Sequence, residues 1–72
     1  MNKVYEGKVM EIEVLSHPEG YDVYKNYYTN NEISMDNYGG TETAKITKTK
    51  KEAMKLAKKL AKKYDCRIEE TV

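Results

Sequence analysis

The stretch TKTKKEAMKLAKKLAKKY, residues 47–64, constrains the fold more than any other part of this chain. Ala53, Leu56, Ala57, Leu60, Ala61 and Tyr64 recur at 3.6-residue spacing and form one apolar stripe, with Met54 at its edge. Thr49-Lys-Lys-Glu52 ahead of it matches a capping box, in which a hydroxyl and a carboxylate satisfy free backbone N–H groups. The residues are strong helix formers without Gly or Pro, and Asp65 marks a plausible end. A short helix with a single apolar stripe is marginal in water and needs an apolar surface to lie on. The rest of the chain has to supply that surface.

It does so as strands. VMEIEVL (9–15) alternates, with Met10, Ile12 and Val14 on one side and Glu11 and Glu13 on the other. Val4 is in phase, so the strand is expected to begin near Lys3, with Gly7 allowing a bulge. SHPEG (16–20) is a turn, since Pro18 presets φ and Gly20 tolerates positive φ. YDVYKNYY (21–28) is the return strand of a hairpin. TNNE (29–32) and NYGG (37–40) are further breaks, and EISMD (32–36) between them is an optional short strand. TETAKIT (41–47) alternates, placing Ala44 and Ile46 inward, and CRIEETV (66–72) ends the chain as a strand with Cys66 and Ile68 inward. The expected fold class is α+β: one domain over 1–72, an antiparallel sheet of three to four strands, and the helix across one face, in the order β-β-(β)-β-α-β.

A chain of 72 residues buries only roughly 60% of its unfolded surface, so the core is thin. There is no run of about 18 apolar residues that would span a membrane. The start, MNKVYEGKVMEIEV, lacks the apolar region of a secretory signal, and one cysteine, Cys66, permits no internal disulfide. A cytoplasmic location is expected. Frequent Asn, Lys, Ile and Tyr suggest an AT-rich bacterial or phage genome.

Catalytic chemistry finds little support. His17, the single histidine, precedes Pro18 in a turn, where a solvated imidazole is the default. Cys66 reads as a small strand hydrophobe. One His and one Cys, 49 positions apart, do not make a metal site, and no Gly-rich phosphate loop is present. No catalytic residue, metal or cofactor is expected, and the chain reads as non-enzymatic.

Charge is distributed unevenly. Residues 1–44 carry three lysines against eight acids, and residues 45–72 carry nine lysines and Arg67 against four acids, giving −5 and +6. Such an asymmetry can mark an interaction surface or let the halves attract each other. Lys51, Lys55, Lys58, Lys59, Lys62 and Lys63 repeat at spacings of three and four along the helix. Like charges so placed cost roughly 0.2–0.5 kcal/mol per pair. A helix back selected only for solubility would interleave more Glu than the lone Glu52. The lysines are therefore candidates for phosphate contacts, or for an acidic protein surface.

A strand followed by T-K-x-E-A and an amphipathic helix, here Ile46, Thr49, Lys50, Glu52 and Ala53, resembles the arm-type DNA-binding domains of tyrosine integrases and several small bacterial and phage sheet-plus-helix proteins. The resemblance covers the C-terminal third. It implies a sheet that enters a DNA groove with a basic face. Here Glu11 and Glu13 occupy the outward positions of the clearest strand, and phosphates would be repelled. A nucleic acid would meet the lysine back instead, largely without reading sequence.

Four of the seven tyrosines, Tyr21, Tyr24, Tyr27 and Tyr28, crowd one strand, and Tyr38 follows. Alternation sets Tyr21 and Tyr27 opposite to Tyr24 and Tyr28, so one pair, with Tyr38, is left on the open sheet face. Tyrosine serves equally as a plain strand residue and as an interface residue that buries area while keeping a polar handle. The leading expectation is a small binding protein that contacts an unidentified protein partner stoichiometrically, as a phage or mobile-element accessory factor or inhibitor. Tyr24, Tyr28 and Tyr38, rimmed by Glu11 and Glu13, would be its surface, with homodimer formation as a further use. The alternative is a nucleic-acid-binding module using the lysine helix, 49–64.

Overall fold

The computed structural model describes residues 5–70. The elements are β1 (Lys8–His17), β2 (Gly20–Tyr28), a 3-10 turn (Met35–Asn37), β3 (Tyr38–Thr47), α1 (Lys50–Tyr64) and β4 (Arg67–Glu70). The fold is α+β, with one helix packed on a four-stranded sheet. The expected onset of β1 near Lys3 and Val4 lies outside the described residues, as do residues 71 and 72.

Several expectations are corrected, beginning with β3, which starts at Tyr38 inside the break expected over 37–40. The sheet is mixed rather than antiparallel: its order is β3-β2-β1-β4, and β4 runs parallel to β1. The helix carries the chain from β3 back across the sheet, so β4 lines up with β1 rather than against it. The optional strand 32–36 is not a strand. Asn30 and Asn31 take left-handed φ values of 55° and 52°, a conformation open to Asn, and the chain curls into the 3-10 turn.

Alternation builds the covered face. Ile12, Val14 and Val23 are fully buried beneath Ala53 and Ala57, whose small side chains let the helix lie close to the strands. Burying each of the three larger side chains is worth about 1.5–3 kcal/mol. Leu56, Leu60, Ile68, Tyr21, Tyr64 and Cys66 pack around them, partly exposed. Burial also pushes the Cys66 thiol up from its ordinary pKa. Tyr27 closes one end by stacking on Tyr5 with ring centroids 4.8 Å apart, and its hydroxyl donates to Glu42.

Bulges explain where the alternation slips. The register skips between Val9 and Glu11, so Val9 rather than Met10 is buried and Met10 is left half-buried. Gly7, at φ 85°, passes so close to the Tyr28 carbonyl that a Cβ would overlap it. A second skip, opposite Val23 and Tyr24, leaves Ala44 unpaired and exposed in β3. Ile46, expected inward, pairs with Asp22 and is 41% exposed, while Thr47 is buried. Thr47 donates its hydroxyl to the Thr49 carbonyl at the entry to α1, which fixes that phase.

The helix ends match the sequence reading. Thr49 accepts from the Glu52 N–H, and Glu52 reaches back to the Thr49 N–H, completing the capping box. Asp65 adopts a left-handed conformation at the C-cap. Lys62 and Lys63 complement the helix dipole in the last turn, and Lys50 pairs with Glu70 of β4 at 2.6 Å. Among the described residues, no helix is long and apolar enough to cross a membrane.

Candidate functional site

Residues directly opposite one another on neighbouring strands share a face. Glu11 is opposite Asn26 of β2 and Arg67 of β4, and Asn26 is opposite Thr41 of β3. Four polar side chains therefore cross the open face in a single row, one from each strand, on the side away from the helix.

The row is continuously hydrogen-bonded. Arg67 donates Nε and Nη2 to Glu11 Oε2 at 3.0 and 2.7 Å. The Asn26 Nδ2 group donates to Glu11 Oε1 at 2.8 Å and to Glu13 Oε1 at 3.0 Å, which uses both of its protons. Thr41 donates to Asn26 Oδ1 at 2.7 Å, so its oxygen remains to accept from the Tyr38 hydroxyl. Each amide atom of Asn26 has a partner, and its orientation is fixed by the bonds on either side.

Glu11 is only 5% exposed. It forms part of the floor rather than the rim expected for it, because Arg67 and Asn26 between them satisfy both its oxygens. A buried carboxylate is tolerated when it is paired and hydrogen-bonded. The same bond and charge raise the Arg67 pKa above its ordinary value. Glu13, half-buried, shares the Asn26 amide and lies beside Tyr24.

Above this floor is a shallow depression of about 290 Å³. Glu11, Glu13, Asn26 and Thr41 line its base, and Tyr24, Tyr28 and Tyr38 its walls. The Tyr28 and Tyr38 rings meet edge to face, with centroids 5.8 Å apart. Burial, then the charge and hydrogen bonding of Glu13, push the Tyr24 hydroxyl pKa well above its ordinary value. Tyr28 is raised in the same direction, by burial first and then by Glu11. The Tyr24 hydroxyl is thus tied to Glu13, adding to the bonds that fix the floor.

The rim comes from the loop before β3. Asn37 acts as its staple: Nδ2 donates to Glu32 and Ser34, and Oδ1 accepts from Thr29 and Asn30. That arrangement holds out Met35, 89% exposed, beside Tyr38, 47% exposed. The depression thus gathers Tyr24, Tyr28, Tyr38, Glu11 and Glu13, all five residues singled out in the sequence. The sequence reading missed Asn26, Thr41, Arg67 and Met35. Asn26 left a signal, since Asn is disfavoured in strands and shares the parity of Tyr24 and Tyr28. Arg67, 56 positions from Glu11, left none.

The lysine surface lies on the other side of the molecule. Lys51, Lys55, Lys58, Lys59, Lys62 and Lys63 are all exposed, within about 140° of the helix circumference and away from the sheet. None of them forms an ion pair among the described residues. Lys63 lies 5.4 Å from the Tyr64 ring centroid.

His17 accepts the Glu19 backbone N–H at Nδ1 and so caps its own turn. Among the described residues, no three His, Cys, Asp or Glu side chains converge to hold a metal ion. Comparisons with protein-family models, curated proteins and solved structures give no match.

Proposed function

We propose that this chain is a non-enzymatic binding protein that contacts a protein partner stoichiometrically through its open sheet face. The observation that carries this reading is the depression itself, where three tyrosines and a protruding methionine stand over a fixed polar floor. Aromatic residues and methionine are enriched at protein interfaces, and a pre-ordered surface loses less entropy on binding. The floor is immobilised by the bonds from Arg67 to Thr41, so the tyrosines need little rearrangement before contact.

Nucleic-acid binding by the lysine helix is the second reading, favoured by six exposed lysines that form no ion pair among the described residues. The tyrosines lie across the sheet from those lysines, so stacking and phosphate contacts would not meet in one groove.

A titration separates the two. Fluorescence anisotropy with duplex and single-stranded DNA and RNA, at about 50 and 200 mM salt, is expected to show no saturable binding. Salt-sensitive binding, with log K falling by roughly 0.7–0.9 per contacted phosphate per log unit of salt, would favour the lysine helix. Loss of that binding on combined Lys55→Glu, Lys59→Glu and Lys62→Glu substitution would then settle the matter for the second reading.

A further inference from the structure

Taking the open face as the contact surface, we propose that its depression receives a lysine or arginine side chain from a basic segment of the partner protein.

Charge decides this. Glu11, Glu13, Asp22 and Glu69 all belong to the open face by register, against Arg67 and Lys8. Arg67 is committed to Glu11 and also lies 3.6 Å from Glu69. Glu13 has hydrogen bonds but no cation within ion-pair distance among the described residues. One Asp22 oxygen is buried with no hydrogen-bond partner. The face therefore carries uncompensated negative charge, with Glu13 at the base of the depression.

The walls suit the same occupant. Aromatic faces attract cations, and guanidinium groups also stack on them. Tyr28 and Tyr38, at 64° to each other, line the same depression as Glu13. An anion would be repelled. A neutral apolar group would strip water from Glu13 without replacing its hydrogen bonds. A basic side chain supplies both the charge and an aliphatic stem that lies against Met35 and Tyr38. The volume of about 290 Å³ is enough to take in a whole lysine or arginine side chain. The exposed methionine and tyrosine beside it call for a protein surface to cover them, so a free inorganic cation is not the occupant.

The test is an amide-shift titration of the isotope-labelled protein with a capped peptide, Gly-Leu-Arg-Leu-Gly, and with the same peptide carrying neutral citrulline for arginine. The arginine peptide is expected to shift the amides of Tyr24, Asn26, Tyr28 and Thr41 saturably. Citrulline, or Glu13→Gln in the protein, is expected to weaken that binding about tenfold. Met35→Ala, at a site too exposed to unfold the domain, is expected to weaken it less. Equal binding of the two peptides at these amides would overturn the cation assignment while leaving the open face as a contact surface. Absence of shifts there with both peptides, or shifts confined to the lysine helix, would overturn both. Concentration-dependent shifts of the same amides in the protein alone, removed by Lys59→Glu, would assign the depression to a second copy's helix and overturn the separate partner.

Discussion

The two faces of the sheet are built from the same strands but held by opposite means. On the covered face Ile12, Val14 and Val23 pack under Ala53 and Ala57, and exclusion of water does the work. On the open face Arg67, Glu11, Asn26 and Thr41 form a hydrogen-bonded row with a buried carboxylate at its centre. The covered face needs no explanation beyond folding. The open face gathers Tyr24, Tyr28 and Tyr38 with Glu11 and Glu13 around one depression, and the proposed contact function rests on that difference.

If the faces differ in this way, substitutions should rank by mechanism. Ile12→Ala is expected to cost most, about 2–5 kcal/mol, because it opens a cavity in a core with few other large side chains. Urea unfolding measures it, and a loss below about 1 kcal/mol would mean the helix is not the main cover of the sheet. Asn26→Ala removes the middle of the polar row and leaves Glu11 and Glu13 without that donor. A loss of about 1–3 kcal/mol is expected. A negligible change would show that the row is ornamental to stability. Thr49→Ala, at the helix cap, should cost about 1 kcal/mol and leave the open face unaltered.

Lys55→Glu should act in the other direction. It relieves repulsion with Lys51 and Lys59, and a gain of about 0.5 kcal/mol is expected. A loss of stability would mean that the lysine back serves the fold.

Alkaline titration sharpens the same contrast. Tyr24, Tyr27 and Tyr28 all have pKa values raised from the ordinary value of 10.0. Below that value they are protonated in both states, and their contribution is fully present. As pH rises past it, the unfolded chain loses these protons first, so stability falls with rising pH. Tyrosinate absorbance in the folded protein should therefore lag behind that of the urea-unfolded chain. Coincident titration curves would contradict the burial of these hydroxyls.

Much of the covered face was legible in the sequence, because periodicity and capping are local signals. The stripe from Ala53 to Tyr64 and the Thr49–Glu52 box marked the helix within a residue of its observed ends. Strand parity placed Tyr24 and Tyr28 together and Tyr27 opposite them. The bulges at Met10 and Ala44 were not legible, since an extra residue leaves no mark in an alternating pattern. Nor was the direction of β4: a four-residue strand carries no record of which neighbour it joins. Arg67 joins the polar row through that direction, so the sequence places Glu11 at the rim of the contact surface and the structure places it in the floor.

The central claim, that the open face rather than the lysine back meets the partner, is tested most directly by site-specific photo-crosslinking in cells that make this protein. A benzophenone amino acid would replace Tyr38 in one variant and Lys59 in another. The account predicts a discrete protein adduct of defined stoichiometry from the Tyr38 position, reduced in yield on Glu13→Gln, and none from the Lys59 position. An adduct to protein or nucleic acid from Lys59, with none from Tyr38, would contradict it.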